Sequence, residues 1–235
     1  MGGVIGAVSN KFALAAATLL LPATVNQHRV QAVIDPSYPT SEISARLAAP
    51  GHIERAIQND HRATVIGLGA EEFDAGTMAA AEESLPAGID LRLGRDVLAN
   101  HIFALNMRRD TIRLVVKSEY RGVTQGLIAV PLESAGGARW RLAARVDGTP
   151  CRLTFDLNLP NALALPSEQN RDLYDRGVDV SLGRAILHVS PAQIGLRTSE
   201  TTDVVLGLRA FEGRQIVLDF PHHLLWVDPG AHNRL

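Results

Sequence analysis

Val25-Asn26-Gln27-His28-Arg29-Val30-Gln31-Ala32-Val33-Ile34-Asp35 and Val146-Asp147-Gly148-Thr149-Pro150-Cys151-Arg152-Leu153-Thr154-Phe155-Asp156 decide how this chain is read. Each copy runs through an alternating stretch, a two-residue turn, a second alternating stretch and a closing Asp. Asp35 falls on Asp156, an offset of 121 (156 minus 35). Alternation of apolar and polar residues predicts half-buried strands, so each copy reads as a β-hairpin. Asp147-Gly148 suits a type I′ turn, because Gly takes positive φ without strain. Asn26 visits that region too, whereas Gln27 fits it less well. Leu21 falls on Leu142 and Ala23 on Ala144, which carries the match through the first strand.

A second block repeats at an offset of 113 (206 minus 93). Leu93-Gly94-Arg95-Asp96-Val97-Leu98 falls on Leu206-Gly207-Leu208-Arg209-Ala210-Phe211, and Ile102-Phe103-Ala104-Leu105-Asn106-Met107 on Gln215-Ile216-Val217-Leu218-Asp219-Phe220. Thr111-Ile112-Arg113-Leu114 falls on Leu224-Leu225-Trp226-Val227. The second copy is therefore eight residues shorter between its Asp and its Leu-Gly (121 minus 113), a difference that loops absorb cheaply. The copies meet near residues 118–138, where Ser134-Ala135-Gly136-Gly137 marks a turn, giving lobes of 1–120 and 121–235. Leu127-Ile128-Ala129-Val130-Pro131-Leu132 loosely mirrors Val4-Ile5-Gly6-Ala7-Val8, so each lobe is expected to lend a strand to a sheet between them. Residues 93–100 and 208–213 read as short helices, and 52–60 and 77–84 have helix-tolerant composition.

Composition narrows the function. The chain has 235 residues, 46% hydrophobic and 20% charged, which supports a folded core rather than disorder. Lys and Arg number 23 against 25 Asp and Glu, a net of -2 with no polyanion footprint, so no nucleic-acid partner is expected. The single Cys151 excludes an internal disulfide and a structural Cys-based zinc site. Phe12-Ala13-Leu14-Ala15-Ala16-Ala17-Thr18-Leu19-Leu20-Leu21-Pro22-Ala23 is too short to span a membrane. It reads as a buried strand, since residues 19–25 belong to the first hairpin. The alternative is a signal peptide, with Lys11 as its only basic residue and Leu21 where a small residue is preferred.

A hairpin ending in Asp, then Leu-Gly opening a short helix, then a β-hairpin, all duplicated, resembles the pepsin/retropepsin aspartic peptidase superfamily. The resemblance runs from about Leu19 to Val227, and Leu93-Gly94-Arg95-Asp96-Val97-Leu98 is close to bacterial retropepsin-like sequences. It implies an all-β, bilobal acid-protease (pepsin-like) barrel built from two retropepsin-like repeats with short helices. In that superfamily each lobe has a strand ending in an Asp-Thr/Ser-Gly loop, and a hydrophobic-hydrophobic-Gly segment crosses behind it. Asp35 and Asp156 fall on the two loops; Asp90 to Gly94 and Asp203 to Gly207 fall on the crossing segments. The departures are as plain. The loops read Asp35-Pro36-Ser37 and Asp156-Leu157-Asn158, so both Thr/Ser positions and both Gly positions are lost.

The resemblance implies peptide hydrolysis by two carboxylates sharing one proton and one water, with no metal and no cofactor. One carboxylate activates the water; the other, protonated, donates to the carbonyl and then to the leaving nitrogen. Close carboxylates do not both ionise easily, so such a pair titrates in two steps. Asp35 and Asp156 are the pair the repeat generates. Pro36 offers neither a hydroxyl nor an N–H, and Leu157 has no group for a cross-lobe bond. Ser37 and Asn158 still offer backbone N–H groups at the third position. Two readings follow: an aspartic endopeptidase, or an inactive pseudoprotease that binds extended peptide in the inter-lobe cleft. A structural or assembly protein with an occluded groove is a third. Duplication supplies both lobes in one chain, so a monomer is expected. A periplasmic or secreted location is left open.

The remaining signals are blander. Val65-Ile66-Gly67-Leu68-Gly69-Ala70 lacks the third glycine of a dinucleotide fingerprint and reads as a hairpin, placed by the resemblance where the family's flap lies. No Tyr occurs between residues 60 and 80. His222-His223 reads as a polar turn whose rings cannot easily chelate one metal; His28 beside its turn reads as solvated. Cys151 reads as a small buried apolar residue. Glu71-Glu72-Phe73-Asp74 and Glu82-Glu83 read as exposed surface, and no nucleophile-elbow pattern occurs.

Overall fold

The computed structural model describes residues 10–11, 13–15, 18–36, 38–48, 57–58, 61–62, 64–68, 71–76, 78–81, 85–134, 140–166, 171–197 and 204–230. The duplicated hairpins form as the alternation predicts. Thr18–Val25 pairs antiparallel with His28–Ile34, and Trp140–Val146 with Thr149–Asp156. Asn26 and Gln27 have φ of 46° and 69°; Asp147 and Gly148 have 47° and 80°. Gln27 thus takes the left-handed conformation despite its Cβ. The turn residues also do equivalent work. Asn26 N–H donates to Val65 O (2.8 Å), and Val65 N–H donates to the Asn26 side chain (2.8 Å). In the second lobe Asp147 N–H donates to Asp179 O (2.9 Å), and Asp179 N–H to the Asp147 carboxylate (2.9 Å).

Each hairpin carries the crossing segment of its lobe in parallel alongside. Leu91–Leu93 pairs with Ala32 to Ile34, and Val204–Gly207 with Leu153 to Asp156. The registers match through the repeat: Ala32 faces Leu91 where Leu153 faces Val204. Among the described residues each lobe has an eight-stranded sheet. Short helices follow the crossing segments at Arg95–Leu98 and, as a 3₁₀ turn, at Leu208–Phe211.

A six-stranded sheet joins the lobes in the order Asn10–Lys11, Thr111–Leu114, Ile102–Asn106, Gln215–Asp219, Leu224–Val227, Ile128–Pro131. The lobes meet where Ile102–Asn106 runs antiparallel to Gln215–Asp219. Ala104 pairs with Val217, its own counterpart at offset 113, so the axis of the duplication passes through that pair. Alternation gives this sheet two faces. Phe103, Leu105, Ile216 and Leu218 join a core cluster shared with both lobes, while Ala104 and Val217 pack with Val115 and Val123 on the other side. Each lobe does lend an outer strand. In the first it is Asn10–Lys11, on Thr111–Leu114; Val4 to Val8, expected there, lie outside the described residues.

Three local expectations change. Ile57–Gln58 pairs with His61–Arg62 as a strand, and Ala79–Ala80 lies parallel to Glu42–Ile43, where helix-tolerant composition suggested helices. Pairing with a neighbouring strand overrides propensity over so few residues. Glu71–Asp74 is exposed as expected, but as the second strand of a hairpin with Val65–Leu68. The other expected turn, Ala135 to Gly137, and Glu82-Glu83 lie outside the described residues.

Candidate functional site

Asp35 directly follows the strand His28–Ile34, and Asp156 ends the strand Thr149–Asp156. Both are half-buried. Asp35 N–H donates to Leu93 O (3.0 Å) on the crossing segment, and Tyr38 N–H closes the loop onto Asp35 O (3.1 Å). Asp156 stands opposite Gly207, and the Asn158 N–H donates to the Asp156 carboxylate at 2.9 Å. The third-position N–H therefore reaches the carboxylate in the second loop, although Asn stands where the family has Gly. Ser37, the corresponding residue of the first loop, lies outside the described residues.

The second position of each loop is apolar and buried. Leu157 is 1% exposed and belongs to the main core cluster; Pro36 is buried as well. Hydrophobic burial anchors both positions. Asn158 Oδ1 is buried with no hydrogen-bond partner among the described residues.

The glycines of the crossing segments hold the loops by close approach. A Cβ on Gly94 would stand 2.5 Å from both Thr40 C and O; one on Gly207 would stand 2.2 Å from Asn161 O. Gly207 N–H donates to Ala162 O (2.8 Å). In the first lobe the equivalent bond goes to a side chain: Gly94 N–H donates to Ser41 Oγ (2.8 Å), and Ser41 Oγ donates to Asp96 (2.7 Å). Asp96 also accepts from Ser41 N–H (2.9 Å). Arg92 of the crossing segment pairs with Glu42 (2.7 Å) and stacks its guanidinium 3.6 Å from the Tyr38 ring. Asp96, Ser41 and the Arg92–Tyr38 stack were missed in the sequence. Their partners are as many as 55 residues apart, and only the Leu-Gly-Arg-Asp wording hinted that Asp96 had a place.

Cys151 is half-buried, and burial pushes its thiol up from the ordinary range. Burial likewise lowers Arg214, which donates to Asp228 O (2.8 Å) and Ile186 O (2.5 Å). Among the described residues no three His, Cys, Asp or Glu side chains are grouped so as to hold a metal, and no helix is long and apolar enough to cross a membrane.

Two duplicated lobes, each with an Asp-bearing loop braced by a crossing strand and both sharing a central sheet, define the bilobal all-β pepsin-like fold. Among solved structures the chain is similar to basic 7S globulin from soybean, with a TM-score of 0.59 over 96% of each chain at 9% identity. That likeness concerns the fold. No protein-family model matches the chain, and no curated protein is significantly similar to it.

Proposed function

We propose that this is an aspartic-peptidase-like protein that takes extended peptide between its lobes and hydrolyses it through a water activated by Asp35 and Asp156. The observation that carries the reading is the matched placement of the two Asp residues. Each closes an equivalent strand beside the Leu-Gly pair of its crossing segment: Asp35 N–H donates to Leu93 O, and Asp156 stands opposite Gly207. The bond from Asn158 N–H supports the reading by fixing the orientation of the Asp156 carboxylate in its loop. The hairpin Val65–Leu68/Glu71–Asp74 is the flap of this reading; it covers peptide by strand pairing and excludes water.

A second reading, an inactive pseudoprotease that binds peptide in the same cleft, is favoured by one observation. Pro36 and Leu157 fill with apolar groups the positions whose hydroxyls the family uses to lock the loops. A misplacement of about 1 Å costs on the order of a hundredfold in rate. Cleavage of a mixed peptide library from about pH 3 to 7, with Asp35→Asn and Asp156→Asn alongside, separates the two. Cleavage lost in both variants supports the dyad. A folded wild-type protein that cleaves nothing, yet protects bound peptide from a second protease, gives the reading to the binder.

A further inference from the structure

A second cleft, of about 640 Å³, opens between the strand Glu71–Asp74, the chain just beyond Thr111–Leu114 and the turn at residues 220–223. Neither Asp35 nor Asp156 lines it. Much of its wall is apolar, with Phe73, Leu114 and Val116 prominent. Val116 is 39% exposed, one of three large apolar side chains so exposed among the described residues. Uncovered apolar surface inside a concavity of this size suits a small organic ligand.

The polar groups in the wall are held in fixed orientations. Asp219, 0% exposed, sits behind the cleft. Its carboxylate accepts the Tyr120 hydroxyl (2.5 Å), the His222 backbone N–H (3.2 Å) and His222 Nδ1 (2.7 Å), with the Trp226 indole N–H at 3.5 Å. A carboxylate accepts, so His222 carries its proton on Nδ1. His101 is fixed the same way, because its Nδ1 donates to Val97 O at 2.8 Å. Both imidazoles line the cleft, and each leaves Nε2 without a hydrogen-bond partner among the described residues. Lys117, exposed at the same cleft, has no ion-pair partner among the described residues. Three side chains that carry cationic or protonatable nitrogens thus line one cleft together with apolar residues.

We propose that this cleft binds a small monocarboxylate with an apolar body. The carboxylate meets the Lys117 ammonium through a charge-assisted hydrogen bond and accepts from Nε2 of His222 and His101 whenever those rings carry a second proton, and the body covers Phe73, Leu114 and Val116. Glu71 and Glu72, exposed on the same strand as Phe73, also line the cleft, so a second carboxylate on the ligand meets like charge.

The test uses the full chain and 3-phenylpropionate at about pH 6, where imidazoles take up protons readily, read by the histidine ¹H–¹⁵N side-chain spectrum. Saturable shifts at His101 and His222 are expected, with Kd on the order of 1 mM for a ligand of that size. The neutral 3-phenylpropionamide binds roughly tenfold more weakly, as does 3-phenylpropionate to Lys117→Gln, a surface change that leaves folding intact. His222→Gln weakens binding in the same direction. An amide that binds as tightly as the acid overturns the proposal, and so does folded wild-type protein with no saturable shift at about 20 mM.

Discussion

Replacing Gly207 by Ala tests how the crossing segment holds the second Asp loop. The backbone at Gly207 is extended, with φ -98° and ψ 168°, so alanine meets no conformational strain and the effect is steric alone. The added Cβ would stand 2.2 Å from Asn161 O and 3.0 Å from Leu159 Cβ. The Asn161 carbonyl is main chain and cannot swing aside like a side-chain tip. The loop must retreat by about 1 Å, which stretches the bond from Gly207 N–H to Ala162 O, now 2.8 Å. Overpacking of this kind costs about 1–3 kcal/mol, and weakening a buried hydrogen bond adds about 1 kcal/mol. A total near 3 kcal/mol lowers Tm by about 6–12 °C for a chain of this size. Gly94→Ala, against Thr40 C and O at 2.5 Å, falls in the same range. Gly122→Ala is the control: it lies in the helix Tyr120–Thr124 with nothing within 4 Å of its Cβ. Its Tm stays level or rises slightly, since Ala is the better helix former. Thermal unfolding followed by circular dichroism at matched concentration measures all three. A Gly207→Ala protein that melts within about 1 °C of wild type refutes the claim that close approach pins the loop.

Gln27→Gly relieves a left-handed residue at φ 69° and stabilises the protein by about 1 kcal/mol in urea unfolding; Gly148 already holds the matching place in the second lobe. Tyr120 is pushed up to about 12 by burial first and then by its hydrogen bond and proximity to Asp219. The native state therefore keeps this proton longer than the unfolded chain, whose tyrosine ionises near 10.0. The associated stability is present below pH 10 and is lost as pH rises from 10 towards 12. Spectrophotometric titration sees a late-ionising tyrosine, and Tyr120→Phe removes it. Cys151, raised by burial, reacts slowly with iodoacetamide at neutral pH and rapidly once the chain is unfolded in urea; equal rates in both states contradict its burial.

The duplicated hairpins were legible because alternation, turn chemistry and a matching second copy all agreed. Asp147-Gly148 declared its turn, and the repeat carried the same geometry to Asn26-Gln27, which alone is a poor turn sequence. The Leu-Gly pairs were legible as crossing segments because they recur in the same order after each Asp and the resemblance places such a segment there. What stayed hidden depends on partners far along the chain. Ser41 meets Asp96 55 residues on, and Tyr120 meets Asp219 99 residues on; no periodicity marks such pairs. Glu71–Asp74 hid its strand behind three carboxylates, since an exposed edge tolerates charge that a central strand does not. The burial of Leu157 was hidden too. The sequence marks it as a missing hydroxyl, and only packing shows that it anchors the loop in the core.

The pairing of Ala104 with Val217 has a consequence for how the protein is made. The strand Ile102–Asn106 leaves the ribosome 113 residues before its partner Gln215–Asp219. At about 5–20 residues per second, that edge stands open for roughly 6–23 s in every nascent chain. An open edge accepts any strand of suitable register. Because the native partner is the strand's own repeat, a neighbouring nascent copy offers nearly the same surface, and two first halves can join about the same axis. The characteristic accident of synthesis is then a symmetric pairing of unfinished chains, and polysomes that crowd these chains together favour it.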